Sequence, residues 1–121
     1  MTDCCTSLIV GGDSQIGVAL ARWVAKAGSK IVATTRRSDT PAEHKHFLDL
    51  EQLCSDSIPR TDVAYLCAGS TSLMECHTDP IRTRRVNVEA TVQLAEALVH
   101  RGAFVVFLST NLVFDGKIPH V

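Results

Sequence analysis

Four short runs of apolar, mostly β-branched residues recur along the chain, at Ser7–Val10, Lys30–Thr35, Asp62–Cys67 and Ala103–Ser109. Each is near-continuous rather than alternating, which is the pattern of a strand buried on both faces and therefore of a parallel sheet. Parallel strands need long crossovers, and helical patterns stand where they are needed. Gln15–Ala27 carries Ile16, Ala19, Leu20, Trp23, Val24 and Ala27 on one stripe, with Gly28 behind it as a stop. Pro80–Arg101 has Asp79 as its N-cap, Pro80 in its first turn and Gly102 at its end. His46–Leu50 reads as a short extra strand, Glu51–Ser57 as a weak helix ended by Pro59, and Arg37–Lys45, which holds Pro41, as a loop. With right-handed crossovers, this order predicts an α/β fold: a Rossmann-type doubly wound parallel sheet of about five strands, the first strand central.

The 121 residues, 45% of them hydrophobic and 21% charged, suit a single domain spanning 1–121 with its own core. A formal net charge of -1 offers no basic field for nucleic acid, which is not expected as a partner. No apolar run approaches the roughly 20 residues of a membrane span, and Met1-Thr-Asp-Cys-Cys5 does not resemble a secretory signal. A cytoplasmic location is expected, without a membrane partner. The five cysteines show no C-x-x-C spacing and suit reduced thiols, and Cys76-His77 lacks a second ligand pair, so no metal site is expected.

Between the first strand and the first helix lies Gly11-Gly-Asp-Ser-Gln-Ile-Gly17. In a dinucleotide-binding turn the first glycine permits the bend, the second lets the backbone approach the pyrophosphate, and the third lets the helix sit close to the strand. Gly11 and Gly17 fit the outer positions, while Ser14 occupies the middle one and places a hydroxyl where the phosphate would approach. The helix that follows would direct its free N–H groups and positive dipole end at the anion. The competing expectation is a turn that uses glycine for bending alone. At the end of the second strand, where an NAD-preferring fold carries an acid for the ribose 2′-hydroxyl, the chain has Thr34-Thr35-Arg36-Arg37. Paired guanidinium groups suit a 2′-phosphate and predict NADP(H) over NAD(H), against the alternative of a solvated basic loop.

Taken with Phe47-Leu-Asp-Leu50, Ala64-Tyr-Leu-Cys-Ala-Gly69, Arg85-Val-Asn-Val88 and Phe107-Leu-Ser-Thr-Asn-Leu-Val-Phe-Asp-Gly116, these motifs resemble those of extended short-chain dehydrogenases/reductases. Within that group the chain is most similar to the dTDP-4-dehydrorhamnose reductase-like sugar-nucleotide proteins, over the N-terminal part of their length. The resemblance implies that Gly11, Ser14, Gln15, Ile16 and Gly17 surround the pyrophosphate, with Arg36 and Arg37 at the adenosine ribose. It places Asp49 and Leu50 beside the adenine, Ala68 and Gly69 on the nicotinamide side, and Asn87 as the helix asparagine that supports the site. Thr110 matches the family's catalytic hydroxyl, and the implied substrate of a full-length relative is a nucleotide sugar.

Two departures stand out. The family's S-T-D-Y reads Ser109-Thr110-Asn111-Leu112, and the Y-x-x-x-K pair that would exchange the proton is missing, the only tyrosine being Tyr65 inside the fourth strand. The expectation is therefore the NADP(H)-binding part of a nucleotide-sugar reductase or epimerase, ending past the fifth strand and inactive as it stands. The alternative is a non-catalytic nucleotide-binding module with a regulatory or assembly role. A fifth strand without a neighbour would also make Ala103–Ser109 an edge for self-association into a homo-oligomer, unless Leu112–Val121 folds back over it.

Overall fold

The computed structural model describes residues 4–37, 45–109 and 117. Among the described residues, five strands form one sheet: β1 (Thr6–Val10), β2 (Lys30–Thr35), β3 (His46–Phe47), β4 (Val63–Leu66) and β5 (Phe104–Phe107). Their spatial order is β3-β2-β1-β4-β5, every pairing is parallel, and β1 is central. The doubly wound sheet expected from the apolar runs is the one that forms. β3 is shorter than the His46–Leu50 run. Its chain leaves the sheet after Phe47, and Asp49 caps a tight 3₁₀ turn over Leu50–Gln52 by accepting the Glu51 N–H at 2.9 Å. A second such turn, Ser55–Ser57, replaces the remainder of the weak helix expected over Glu51–Ser57.

Helix α1 (Gln15–Lys26) crosses from β1 to β2. It is followed by α2 (Leu73–Thr78), α3 (Pro80–Arg84) and α4 (Thr91–His100). The helix expected over Pro80–Arg101 begins where its cap predicts, with the Asp79 carboxylate accepting the Arg82 N–H at 3.1 Å. It is not uniform, because Arg85–Ala90 winds as a π-helix between α3 and α4, with Thr91 Oγ1 donating back to the Val86 carbonyl at 2.9 Å. Gly102 follows in the left-handed region, at φ +88°, and turns the chain into β5.

The core lies on one face of the sheet. Leu8, Val10, Ala64 and Leu66 point to that face, since alternate strand residues share a side, and meet Val86, Ala90, Leu94 and Leu98. Leu48, Leu50, Ile58 and Ala103 close its margins. On the opposite face α1 packs over β1 and β2 through Gly17, Leu20, Ala21 and Val24. The apolar stripe read from the sequence does not turn inward as a whole. Ile16 and Trp23 are 60% and 74% exposed, because at about 100° per residue they stand roughly a quarter-turn from the line that touches the strands. Lys26 covers Trp23 in part, its Nζ 5.9 Å from the ring centroid. Among the described residues, no helix is long and apolar enough to cross a membrane.

Candidate functional site

A cleft of about 370 Å³ opens along the carboxyl ends of β2, β1 and β4, where the strand order reverses. In open α/β sheets this crevice is where ligands bind. Its floor is Val10 and Gly11 at the end of β1 and Cys67, Ala68 and Gly69 at the end of β4. One side is Thr34–Arg37, and the other is Leu48–Glu51 with Ser72, Glu75 and Arg82 from the helical side.

The turn after β1 is tied tightly to both neighbouring strands. Gly11, at φ +88°, donates its N–H to Thr34 Oγ1 at 3.0 Å, and Gly12 donates to the Thr34 carbonyl at 2.9 Å. A Cβ on Gly11 would stand 2.7 Å from Ala68 N, one on Gly12 2.8 Å from Ala33 Cβ, and one on Gly17 2.2 Å from the Gly11 carbonyl oxygen. Each glycine therefore serves close approach within the protein, the outer pair bringing turn, helix and β4 together. Ser14 is the N-cap of α1. Its hydroxyl accepts the Gly17 N–H at 2.9 Å and donates to the Gly11 carbonyl at 2.8 Å, so the side chain lies along the turn rather than across the helix start. The N–H groups of Gln15 and Ile16 precede the intrahelical ladder and point out of the first turn.

Past β2, Arg36 and Arg37 are both exposed on the cleft rim. Asp13 from the glycine turn also reaches this point: it accepts Thr35 Oγ1–H and forms an ion pair with Lys45. The Lys45 hydrogen bond, then that of Thr35, holds the Asp13 carboxyl below the usual carboxylate range against desolvation, which raises it, with the charges of Lys45 and Arg37 adding to the lowering. Across the cleft, Arg82 makes a two-pronged contact with Glu51, Nε to Oε1 at 2.7 Å and Nη2 to Oε2 at 3.3 Å. That contact lowers the Glu51 pKa and raises that of Arg82.

At the β4 end, Asn87 grips the loop from the π-helical segment. Its Oδ1 accepts the Ser70 N–H at 2.8 Å and its Nδ2 donates to the Ser70 carbonyl at 2.9 Å. A Cβ on Gly69 would come within 3.1 Å of that Oδ1, so the glycine makes room for the grip. Burial raises the pKa of the neighbouring Cys67 thiol.

Of the residues singled out in the sequence, Gly11, Ser14, Arg36, Arg37, Asp49, Leu50, Ala68 and Gly69 meet around this one cleft. Gly17 is buried beneath the turn, Gln15 and Ile16 stand at the exposed start of α1, and Asn87 supports the wall from behind. Thr110 lies outside the described residues. Asp13, Thr35, Lys45, Glu51 and Arg82 are site residues that the motifs did not single out, since only the fold brings them together. Among the described residues, no group of three or more His, Cys, Asp or Glu side chains could hold a metal ion.

A model of the RmlD substrate binding domain family matches residues 5–120. The dTDP-4-dehydrorhamnose reductase of Burkholderia thailandensis is 30% identical over 109 residues, which is 90% of this chain and 35% of that reductase. The dTDP-4-dehydrorhamnose reductase from Bacillus anthracis, in complex with NADP, superposes with a TM-score of 0.80 at 19% identity, over 98% of this chain and 41% of that one. MoeE5, in complex with UDP-glucose and NAD, superposes with a TM-score of 0.78 at 28% identity, over 92% of this chain and 38% of its own. The chain thus spans 35% of the length of the curated relative it matches.

Proposed function

The chain belongs to the RmlD substrate binding domain family, and on that premise we propose that its cleft holds NADP(H) in preference to NAD(H). The observation that carries this is the junction at β2, where the glycine turn is bonded to Thr34 and the strand runs on into Arg36 and Arg37 on the same cleft. Gly11, Ser14, Gln15, Ile16 and Gly17 would surround the pyrophosphate, with free first-turn N–H groups toward the anion. Arg36 and Arg37 would take the 2′-phosphate, for which the guanidinium fork is matched. Asp49 and Leu50 would flank the adenine, and Ala68 and Gly69 the nicotinamide, on a loop held by Asn87. When bound, the nicotinamide would supply or accept hydride.

We further propose that the whole protein is a cytoplasmic reductase or epimerase acting on a nucleotide sugar, of 4-keto-sugar reductase type, with this chain as its cofactor-binding part. Thr110 would hold the substrate oxygen. A threonine hydroxyl is a poor acid or base at neutral pH, and the only tyrosine in the sequence, Tyr65, is half-buried in β4. The 121 residues alone are therefore expected to bind cofactor without turnover. The same observation favours a second reading, a nucleotide-binding module with no chemistry of its own.

Calorimetric titration of both cofactors tests the assignment. NADP(H) should bind more tightly, and Arg36→Asp should invert the order, at a loss of about 1.5–3 kcal/mol for the charge-assisted contact. Equal affinities would end the preference. Reduction of a nucleotide 4-keto sugar by the pure chain, abolished in Thr110→Ala, would refute the expected inactivity. We also propose self-association through β5, at the edge of the sheet, whose Phe104 and Phe107 are 69% and 57% exposed. Light scattering decides it: a monomer at high concentration would exclude it, and loss of the dimer in Val105→Pro without unfolding would support it.

A further inference from the structure

In a dinucleotide fold the acid that reads the ribose 2′-hydroxyl usually ends the second strand. Here that strand ends in Thr35, a buried neutral residue, and a carboxylate arrives from a different element. Asp13, in the glycine turn, accepts the Thr35 hydroxyl proton at 2.5 Å through Oδ2 and pairs through Oδ1 with Lys45, the residue next to β3. The same Thr35 hydroxyl accepts the Arg37 N–H at 3.0 Å, so the carboxylate is fixed one hydrogen bond from the strand end and beside the two rim arginines. Asp13 lines the cleft and keeps 30% of its side-chain surface, and Lys45, paired with it, keeps 27%.

We propose that Asp13 is the specificity-determining acid for the ribose 2′ position, delivered by the glycine turn instead of by β2, and that Lys45 is its counter-charge. This rests on the dinucleotide assignment above. A free 2′-hydroxyl can donate to the Asp13 carboxylate while Lys45 stays paired with it. A 2′-phosphate brings like charge against that carboxylate and gains Lys45 only by drawing it away from Asp13. The arginines favour the phosphate, and Asp13 holds that preference down. An ion pair that merely ties turn to strand would not distinguish the two ligands, because the Asp13–Lys45 pair is neutral as a unit.

The test uses the 121-residue chain and two probes that differ only in the group in question, adenosine 2′,5′-bisphosphate and 5′-AMP, titrated at fixed low salt. Asp13→Asn should tighten the bisphosphate about fivefold and weaken 5′-AMP, by removing one repulsive charge and one acceptor. Lys45→Met should do the reverse to the bisphosphate, weakening it about tenfold while moving 5′-AMP less than about twofold. The quantity compared is the ratio of the two dissociation constants, which partial unfolding of a variant leaves unchanged. If both probes bind and neither substitution moves the ratio, Asp13 is a structural tie and the proposal is wrong. If the wild-type chain binds neither probe, the dinucleotide assignment itself falls, and this proposal with it.

Discussion

The two faces of the sheet share the same strands and differ in how they are finished. On one, Leu8, Val10, Ala64 and Leu66 are sealed by Val86, Ala90, Leu94 and Leu98, and Leu94 is left 1% exposed. On the other, α1 covers β1 and β2 through small and medium residues, while Ile16, Trp23 and Phe104 remain in solvent among the described residues. Apolar residues are thus plentiful on both, but the first buries many large side chains at about 1.5–3 kcal/mol each, whereas the second fully buries Ile9 of β1 and leaves its other large ones partly or wholly exposed. Apolar content alone does not say where stability resides. Closure does.

The largest effect should come from opening the sealed face. Leu94→Ala is expected to destabilise the chain by about 2–5 kcal/mol, read from urea denaturation. A loss as small as that of a surface variant would show that the faces are not different. Gly17→Ala probes the seam between the turn and α1. Its Cβ would lie 2.2 Å from the Gly11 carbonyl, so the helix must shift, at a cost of about 1–3 kcal/mol together with weaker cofactor binding.

Acid should separate the polar ties at the cleft from the core. The folded-state pKa values of Asp13 and Glu51 are lowered, so their contribution is fully present above the unfolded-state values, 3.8 and 4.5. It is lost as pH falls below those values and through the folded-state ones. Stability measured across that window should fall by a similar amount in wild type and in Leu94→Ala, because the charges lie apart from α4. The smallest effect belongs to the open face, where Trp23→Ser should change stability by no more than about 0.5 kcal/mol. Phe104→Lys should likewise leave stability nearly untouched, and under the proposed β5 association it should give a monomer in light scattering. A large loss in either would mean that this face is closed after all.

What the sequence disclosed follows the range of the interactions involved. The strands are legible because four-to-six-residue apolar runs such as Ser7–Val10 and Lys30–Thr35 are local signals, and so are the caps Asp79 and Gly102. α2 carries a weaker local signal, Ser72 with Glu75 three residues on at the spacing of a capping pair, and Ser72 Oγ accepts the Glu75 N–H at 3.3 Å. Periodicity shows that α1 has an apolar stripe, not how much of it the sheet covers. Asp13 with Lys45, and Glu51 with Arg82, span about thirty residues of chain, and no local pattern announces such meetings. Asn87 was found through its motif, but the π-helical winding beneath it was not, since one wider turn leaves the surrounding composition unchanged.

That wider turn makes the helical segment behave like a gear with one extra tooth. α4 is anchored by Leu94 and Leu98, so if Arg85–Ala90 wound as a regular α-helix with no residue removed, the added rotation would have to be absorbed upstream. Restoring regular winding would rotate α3 by about 100° about the helix axis. Asn87 would leave Ser70 and Arg82 would leave Glu51 in a single movement, although neither residue had been touched. The cleft wall at β4 and the Glu51–Arg82 clasp on its helical side are therefore set by one phase relationship, and the count of residues between Pro80 and Leu94 matters to the site as much as their identities.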